Sequence, residues 1–420
     1  MTLFFFLLEI FIYGFSIYIF YTKKELGVIY LPFIFFSFVI ITPAIPIGLF
    51  YGLITLLVIS ILKKSYNLLR ENVFSILIFI YYSVLLFQAS DSLKFSLVYN
   101  VLIFFISLPL IAIIYREHGR EVIMKELTQT AILVLVVFVI NVIMASLTKY
   151  SESMYGIKGG VLFGNLKATD LNIIGIAMFV VLYDILKRGN YYVTAIYVLS
   201  LVFILLTLRR SAMLVSVMGI PFVLLSTLTK KSIGRIVMFF LLALVLGTGV
   251  YLNTGFASMF KERYELRNLD DRDLEEEKRF FEYEILLQDM FVYKDYSPVF
   301  GHGLFDSAGN YGKGIFEERT LHADLPSIAH SSGFLGVLIY LLMIITCFTK
   351  AIKRARTKTD FYAILFGFLV FVLYTITGRY TQVETMLLLF MVVSLPHTNT
   401  EESEAVLLPE EEQEPAPSFY

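Results

Sequence analysis

The 420-residue chain has no tryptophan, one cysteine and few charges, with 16% Asp, Glu, Lys and Arg where soluble domains carry about 25%. With 58% hydrophobic residues and a mean hydropathy of +0.76, this scarcity of charge excludes a soluble globular protein. The single Cys347 lies in an apolar run, which excludes an internal disulfide framework and a cysteine-based metal site. A net charge near −1 with basic residues scattered in short clusters gives no reason to expect a nucleic-acid partner. The missing tryptophan leaves tyrosine to fill the interfacial aromatic belt.

What remains is a polytopic helical membrane protein, because a hydrocarbon core about 30 Å thick takes roughly 20 apolar residues per span. Apolar windows bounded by Lys/Arg clusters predict spans near 2–21, 27–42, 47–62, 72–89, 96–115, 127–147, 170–186, 191–208, 211–228, 234–253, 328–349, 360–378 and 383–396. The tight Pro43-Ala44-Ile45-Pro46 connection between the second and third holds the count at twelve or thirteen. The first stretch has no basic residue before it and no small-residue cleavage site after it, so it reads as a retained span. Clusters at Lys23-Lys24, Lys63-Lys64, Arg116, Lys187-Arg188, Lys230-Lys231 and Lys350 to Lys358 fall on alternate loops, which the positive-inside rule assigns to the cytoplasm. The organisation expected is therefore helices one to ten over 1–253 with an outer loop at 148–169, a long outer segment over 254–327, the last spans over 328–396, and an acidic cytoplasmic tail over 397–420. From Thr400 onward that tail has seven Glu, three Pro and no Lys or Arg, the composition of a solvated disordered segment.

Outer segments of this length are usually functional or disordered. Between Leu274 and Met290, Phe280, Phe281, Ile285, Leu286 and Leu287 recur at helical spacing among charges, which predicts an amphipathic helix at the outer membrane surface. Arg209-Arg210 sits on the outer side against the usual charge bias, and two guanidiniums at that depth suit bidentate contact with a diphosphate. The plainer reading is that they snorkel to lipid headgroups. Arg279 on the amphipathic helix has Glu275, Glu276, Glu277 and Glu282 as neighbours for a surface ion pair, and Arg379 ends a span on the same outer side. His322, followed by Ala323 and Asp324, is a candidate proton acceptor at the outer interface, since an imidazole titrates close to working pH. A capping or surface histidine is the plainer alternative.

Several motifs fail. Gly312-Lys313-Gly314 lacks the spacing and the Ser/Thr of a P-loop. His322 and His330 are eight apart with a proline between them, so they do not form a metal pair. Asp271-Arg272-Asp273 matches the DxD triplet that holds a divalent ion in some glycosyltransferases, but such a triplet arises often by chance in an acidic loop.

Four patterns in order resemble the O-antigen ligase and O-antigen polymerase family of bacterial envelope enzymes. Gly164-Asn165 through Asn172 leads into a long span. Thr207-Leu208-Arg209-Arg210-Ser211-Ala212 is similar to a Thr-x-Ser-Arg-Gly/Ala signature, with Arg209 in place of Ser. Arg279 is followed by aromatics, Ser297-Pro298 and Gly301-x-Gly303. His322 precedes Gly333 by eleven residues and Gly336 by fourteen, with Ala323 where Asn or Ser is usual. The resemblance covers about 160–345 and implies a metal-independent glycosyltransferase without a cofactor, working at the outer face of the bacterial inner membrane. Its donor would be an undecaprenyl-diphosphate-linked glycan, and its acceptor the lipid A core or a growing glycan. It implies that Arg210 and Arg279 neutralise the diphosphate and that His322 orients or deprotonates the acceptor hydroxyl. Arg209, Asn172, Arg379 and Asp324 would join them in substrate binding. Which of Arg209 and Arg210 takes the family position stays open. The residues point to the same chemistry: a lipid diphosphate needs apolar helices beside cations at the outer interface, and fixed guanidiniums stabilise a leaving group whose charge grows in the transition state.

Two other classes compete. A transporter fits the span count and the intramembrane Glu9 and Asp184, although the halves show no paired broken spans. A non-catalytic assembly component would tolerate substitution at Arg210 and His322.

Overall fold

The computed structural model describes residues 2–62, 67–87, 92–148, 166, 169–207, 209–228, 233–253, 258, 278–294, 296–304, 313, 321, 323–378 and 380–399. Among these the chain is helical without strands: α1 (Thr2–Lys23), a 3-10 turn (Lys24–Tyr30), α2 (Leu31–Ile40), α3 (Ile47–Leu62), α4 (Leu68–Glu71), α5 (Val73–Leu86), α6 (Ser92–Glu117), α7 (Arg120–Thr148), α8 (Asn172–Arg188), α9 (Tyr191–Thr207), α10 (Arg210–Thr227), α11 (Ile233–Asn253), α12 (Lys278–Leu287), α13 (Asp324–Arg354), α14 (Lys358–Thr377) and α15 (Val383–Val393). Each expected span overlaps one of these helices, the second beginning in the 3-10 turn before α2. Among the described residues six segments are long and apolar enough to cross a membrane, and four more apolar helices are shorter. The chain is an all-α polytopic membrane protein.

The first long segment, Leu3–Ile40, is a hairpin. Lys24 turns the chain with a left-handed φ of 52°, and α2 folds back so that Phe33 and Tyr30 pack edge-on against Phe15 of α1 at 5.1 and 6.1 Å. Glu9 explains the connection that follows. Proline has no N–H, so Pro43-Ala44-Ile45-Pro46 offers two donors. Both end on the buried Glu9 carboxylate, Ala44 N at 2.8 Å and Ile45 N at 3.2 Å. Asp184 is likewise engaged locally, 3.0 Å from Arg188 one turn on. The two carboxylates that suit a transporter thus both have structural partners.

Two helices form the centre. α8 is buried on nearly every face and α15 on all of them, the pattern of a helix that is apolar all round. α8 packs on α7, α9, α10 and α15, and α15 packs on α2, α6 and α14 as well. Gly175 lets α8 approach α10 closely, since a Cβ there would lie 2.7 Å from Val215 Cγ1 and 3.0 Å from the Ser216 nitrogen. Phe179 stacks on Phe366 of α14 at 4.1 Å.

At one end of the bundle the described basic clusters meet carboxylates of other helices: Lys23 with Glu126, Arg116 and Lys350 with Glu71, Lys187 with Glu121, and Arg120 with Asp360. Their convergence on one end is what the alternating loops predict. The other end carries the N-termini of α8, α10, α13 and α15, where the candidate site residues lie.

Candidate active site

The first part of the site is the start of α10. Thr207 Oγ1 accepts the Arg209 N–H at 3.2 Å, and the Arg209 carbonyl opens α10 by accepting from Met213 N at 2.9 Å. Arg209 is the extended N-cap residue and partly buried, whereas Arg210 begins the helix and is exposed. Ser211 donates to Asn172 Oδ1 at 3.0 Å, and Asn172 in turn accepts from the Tyr374 hydroxyl on its backbone oxygen at 2.8 Å. The fully buried Asn172 therefore joins α8, α10 and α14 immediately beside the two arginines. Helix N-termini favour anions through their exposed N–H groups and dipole, and here two permanent cations add to that field.

The second part is α12 and the entrance to α13. Buried Glu282, Ile285, Leu286, Asp289 and Met290 share one face of the segment, at the three- and four-residue steps of a helix. Phe281 and Leu287 point outward. The face packs on α13, and Glu282 accepts the Ala323 N–H at 3.0 Å. Asp324, also buried, accepts the Tyr380 N–H at 3.1 Å. Burial, and then the negative charges of Asp324 and Glu282, raise the Tyr283 phenol above its ordinary value and keep it protonated. The two parts meet through Gln382, which donates to Asp170 Oδ1 at 3.3 Å, two residues before Asn172.

The third part is a break in α13. Gly333 takes φ 67° and ψ −176°, and the segment 297–303 lies in the gap. His302 N donates to His330 O at 2.7 Å, Gly303 N to Ser331 O at 3.2 Å, Phe334 N to Pro298 O at 2.9 Å and Leu335 N to Val299 O at 3.3 Å. Irregular backbone at membrane depth must find its partners inside the protein, and this segment supplies them. Gly301 and Gly333 face each other: a Cβ on Gly301 would lie 2.6 Å from Gly333 N, and one on Gly333 would lie 2.1 Å from Val299 O. The Gly301-x-Gly303 and Gly333 patterns are thus the two halves of one interlock. Tyr296 sits against both His302 and His330, at 5.5 and 4.6 Å.

Of the residues expected from sequence, Asn172, Arg209, Arg210 and Asp324 are described and lie at this end. Arg279 is placed on α12, its side chain outside the described set, and His322 and Arg379 lie outside the described residues, as do Gly164-Asn165, the 271–273 triplet and the tail from 400. The backbone nonetheless brings their neighbours together: Ala323 follows His322, Tyr380 follows Arg379, and Arg279 is one turn before Glu282. Glu282, Ser211, Asp170, Gln382 and Tyr380 were not anticipated as site residues. For Glu282 the signal was available, because it falls three and four residues before Ile285 and Leu286 and so on the buried face, away from the surface ion pair its sequence neighbourhood suggests.

A family profile described as O-antigen ligase matches residues 195–341, just over a third of the chain. The matched stretch runs from within α9 to within α13. It includes Arg209, Arg210, Arg279, His322, Asp324 and both halves of the glycine interlock, and it excludes Asn172 and Arg379. No curated protein matches the chain.

Proposed function

We propose, from the match of residues 195–341 to a family profile described as O-antigen ligase, that the chain transfers a glycan from undecaprenyl diphosphate to an acceptor hydroxyl at the outer face of the bacterial inner membrane. The observation that supports this best is the chain of contacts from Ser211 through Asn172, Asp170 and Gln382 to Tyr380, Asp324, Ala323 and Glu282. It gathers Arg209, Arg210, the helix that carries Arg279, and the described neighbours of His322 and Arg379 in sequence, Ala323 and Tyr380, at one end of a buried helical core. A lipid diphosphate needs such a place, with its tail among apolar helices and its charge among cations.

In the proposed step the acceptor oxygen attacks the anomeric carbon, and the bond from that carbon to the diphosphate oxygen breaks with its electron pair. His322 takes the hydroxyl proton. Arg210 and Arg279 hold the diphosphate and stabilise the charge it gains, with Arg209 beside them. The energy is already stored in the donor, so the step requires neither nucleotide nor metal. The acceptor is the lipid A core for a ligase and a growing glycan for a polymerase, and the ligase reading follows the description of the matching family.

The test is surface polysaccharide from cells deleted for their own copy, resolved by size and restored with wild type, Arg210→Ala or His322→Ala at matched membrane levels. Loss of the lipid-A-attached ladder with lipid-linked polymer accumulating supports the ligase. Collapse of the ladder to one repeat identifies the polymerase, and full activity in both variants refutes the mechanism.

A further inference from the structure

Glu282 has no role in the step just described, yet it is fully buried and bonded to a residue 41 positions away. A buried carboxylate is costly to desolvate and is kept only where hydrogen bonds compensate it. It accepts the N–H of Ala323, the N-cap residue of α13, whose own side chain makes no cap. Serine, threonine or asparagine at that position would cap the helix locally. Here the acceptor comes from a different helix, so the bond ties two segments together as well as satisfying a donor.

We propose that Glu282 is a positioning residue which, by accepting the Ala323 N–H, fixes α12, the helix of Arg279, against the N-terminus of α13, which follows His322 in the sequence. Arg279 is three residues before Glu282 on the same helix. His322 immediately precedes Ala323 in the sequence. One hydrogen bond therefore joins α12, the helix on which Arg279 lies, to the N-cap of α13, the residue that follows His322 in sequence. Asp324 repeats the arrangement one residue on, accepting from Tyr380 next to Arg379. The burial of Ile285, Leu286 and Met290 on the same face as Glu282 holds α12 in place, and the carboxylate sets its register along α13. The chemical consequence rests on the transferase reading above; the tie itself does not.

The experiment uses the full-length chain with Glu282→Gln, Glu282→Ala, Arg279→Ala and the Glu282→Ala/Arg279→Ala pair. Polysaccharide is quantified in the deletion strain at matched membrane levels, and the same purified proteins are digested with limiting trypsin in detergent. Glutamine keeps a carbonyl acceptor at the same reach. It should restore product to within about twofold of wild type, whereas alanine should lower it about tenfold, the equivalent of one hydrogen bond. Alanine should add no further loss to Arg279→Ala, because both act through one geometry. In the digestion, alanine and not glutamine should speed cleavage within 278–321. Equal loss in glutamine and alanine, no loss in alanine, losses that multiply in the pair, or unchanged cleavage would each overturn the assignment. If wild type itself made no polysaccharide, the transferase reading would fail, and the digestion would still decide the tie.

Discussion

Replacing Gly333 by alanine tests the interlock at the outer end of α13, and Gly219→Ala in α10 is its control. A non-glycine residue in the left-handed region costs about 1–2 kcal/mol, and Gly333 has φ 67°. The added Cβ would also lie 2.1 Å from Val299 O and 2.5 Å from Phe300 N, backbone atoms that move only if the whole 297–303 segment does. That movement breaks the bonds Phe334 N→Pro298 O and Leu335 N→Val299 O, each worth about 1 kcal/mol net and more where the donor is left in an apolar setting. The sum is a loss of about 3–4 kcal/mol. Gly219 is helical, and its Cβ would meet Phe179 and Phe366 at 3.5 and 3.6 Å, ordinary contact distances. Alanine there removes the helix penalty of glycine and should gain up to about 1 kcal/mol. The assay is the temperature at which full-length protein in detergent loses its monodisperse size-exclusion peak. Opposite shifts are expected, downward for Gly333→Ala and flat or upward for Gly219→Ala. A Gly333→Ala protein that melts with wild type would refute the packing argument.

Three further outcomes follow from named contacts. Glu9→Leu strips the Ala44 and Ile45 N–H groups of their acceptor and should cost about 2 kcal/mol or more, while Glu9→Gln keeps one bond and costs less; both are read by the same melting assay, and neither should make polysaccharide output depend on the proton gradient. Asn172→Ala removes the acceptor of Ser211 at the start of α10 and should lower polysaccharide about tenfold at matched membrane levels. His397, beyond the last helix, is held neutral by burial and then by the Arg354 charge, its pKa lowered to about 4. The folded state therefore binds fewer protons than the unfolded state, whose histidine titrates near 6.5. Stability is full above that value and declines as pH falls from about 6.5 toward 4, by about 3 kcal/mol at most. His397→Asn should flatten the melting temperature across that window.

The helices were readable because a bilayer imposes one pattern: apolar runs of fixed length separated by charge, with a basic end and a less basic end. The thirteen windows therefore found the helices, and the basic clusters found a common end. Periodicity also located α12. What it missed is which side of an amphipathic helix a charge occupies when burial depends on another segment. Glu282 reads as a surface neighbour of Arg279 until α13 covers it. Glu9 reads as an intramembrane charge until the Pro43–Pro46 connection folds onto it. The pairing of Gly301 with Gly333 likewise could not be inferred from spacing, since it joins two segments only after the outer segment has docked into the break in α13.

The most direct measurement is transfer by purified full-length protein in lipid bilayers, supplied with lipid-linked glycan extracted from the deletion strain and its acceptor lipid, following release of polyprenyl diphosphate. Arg210→Ala and Arg279→Ala should each lower the rate by at least about a hundredfold, and chelation of divalent cations should leave wild type unchanged. A full rate in either arginine variant, or loss of wild-type activity on chelation, would contradict charge stabilisation by the two guanidiniums.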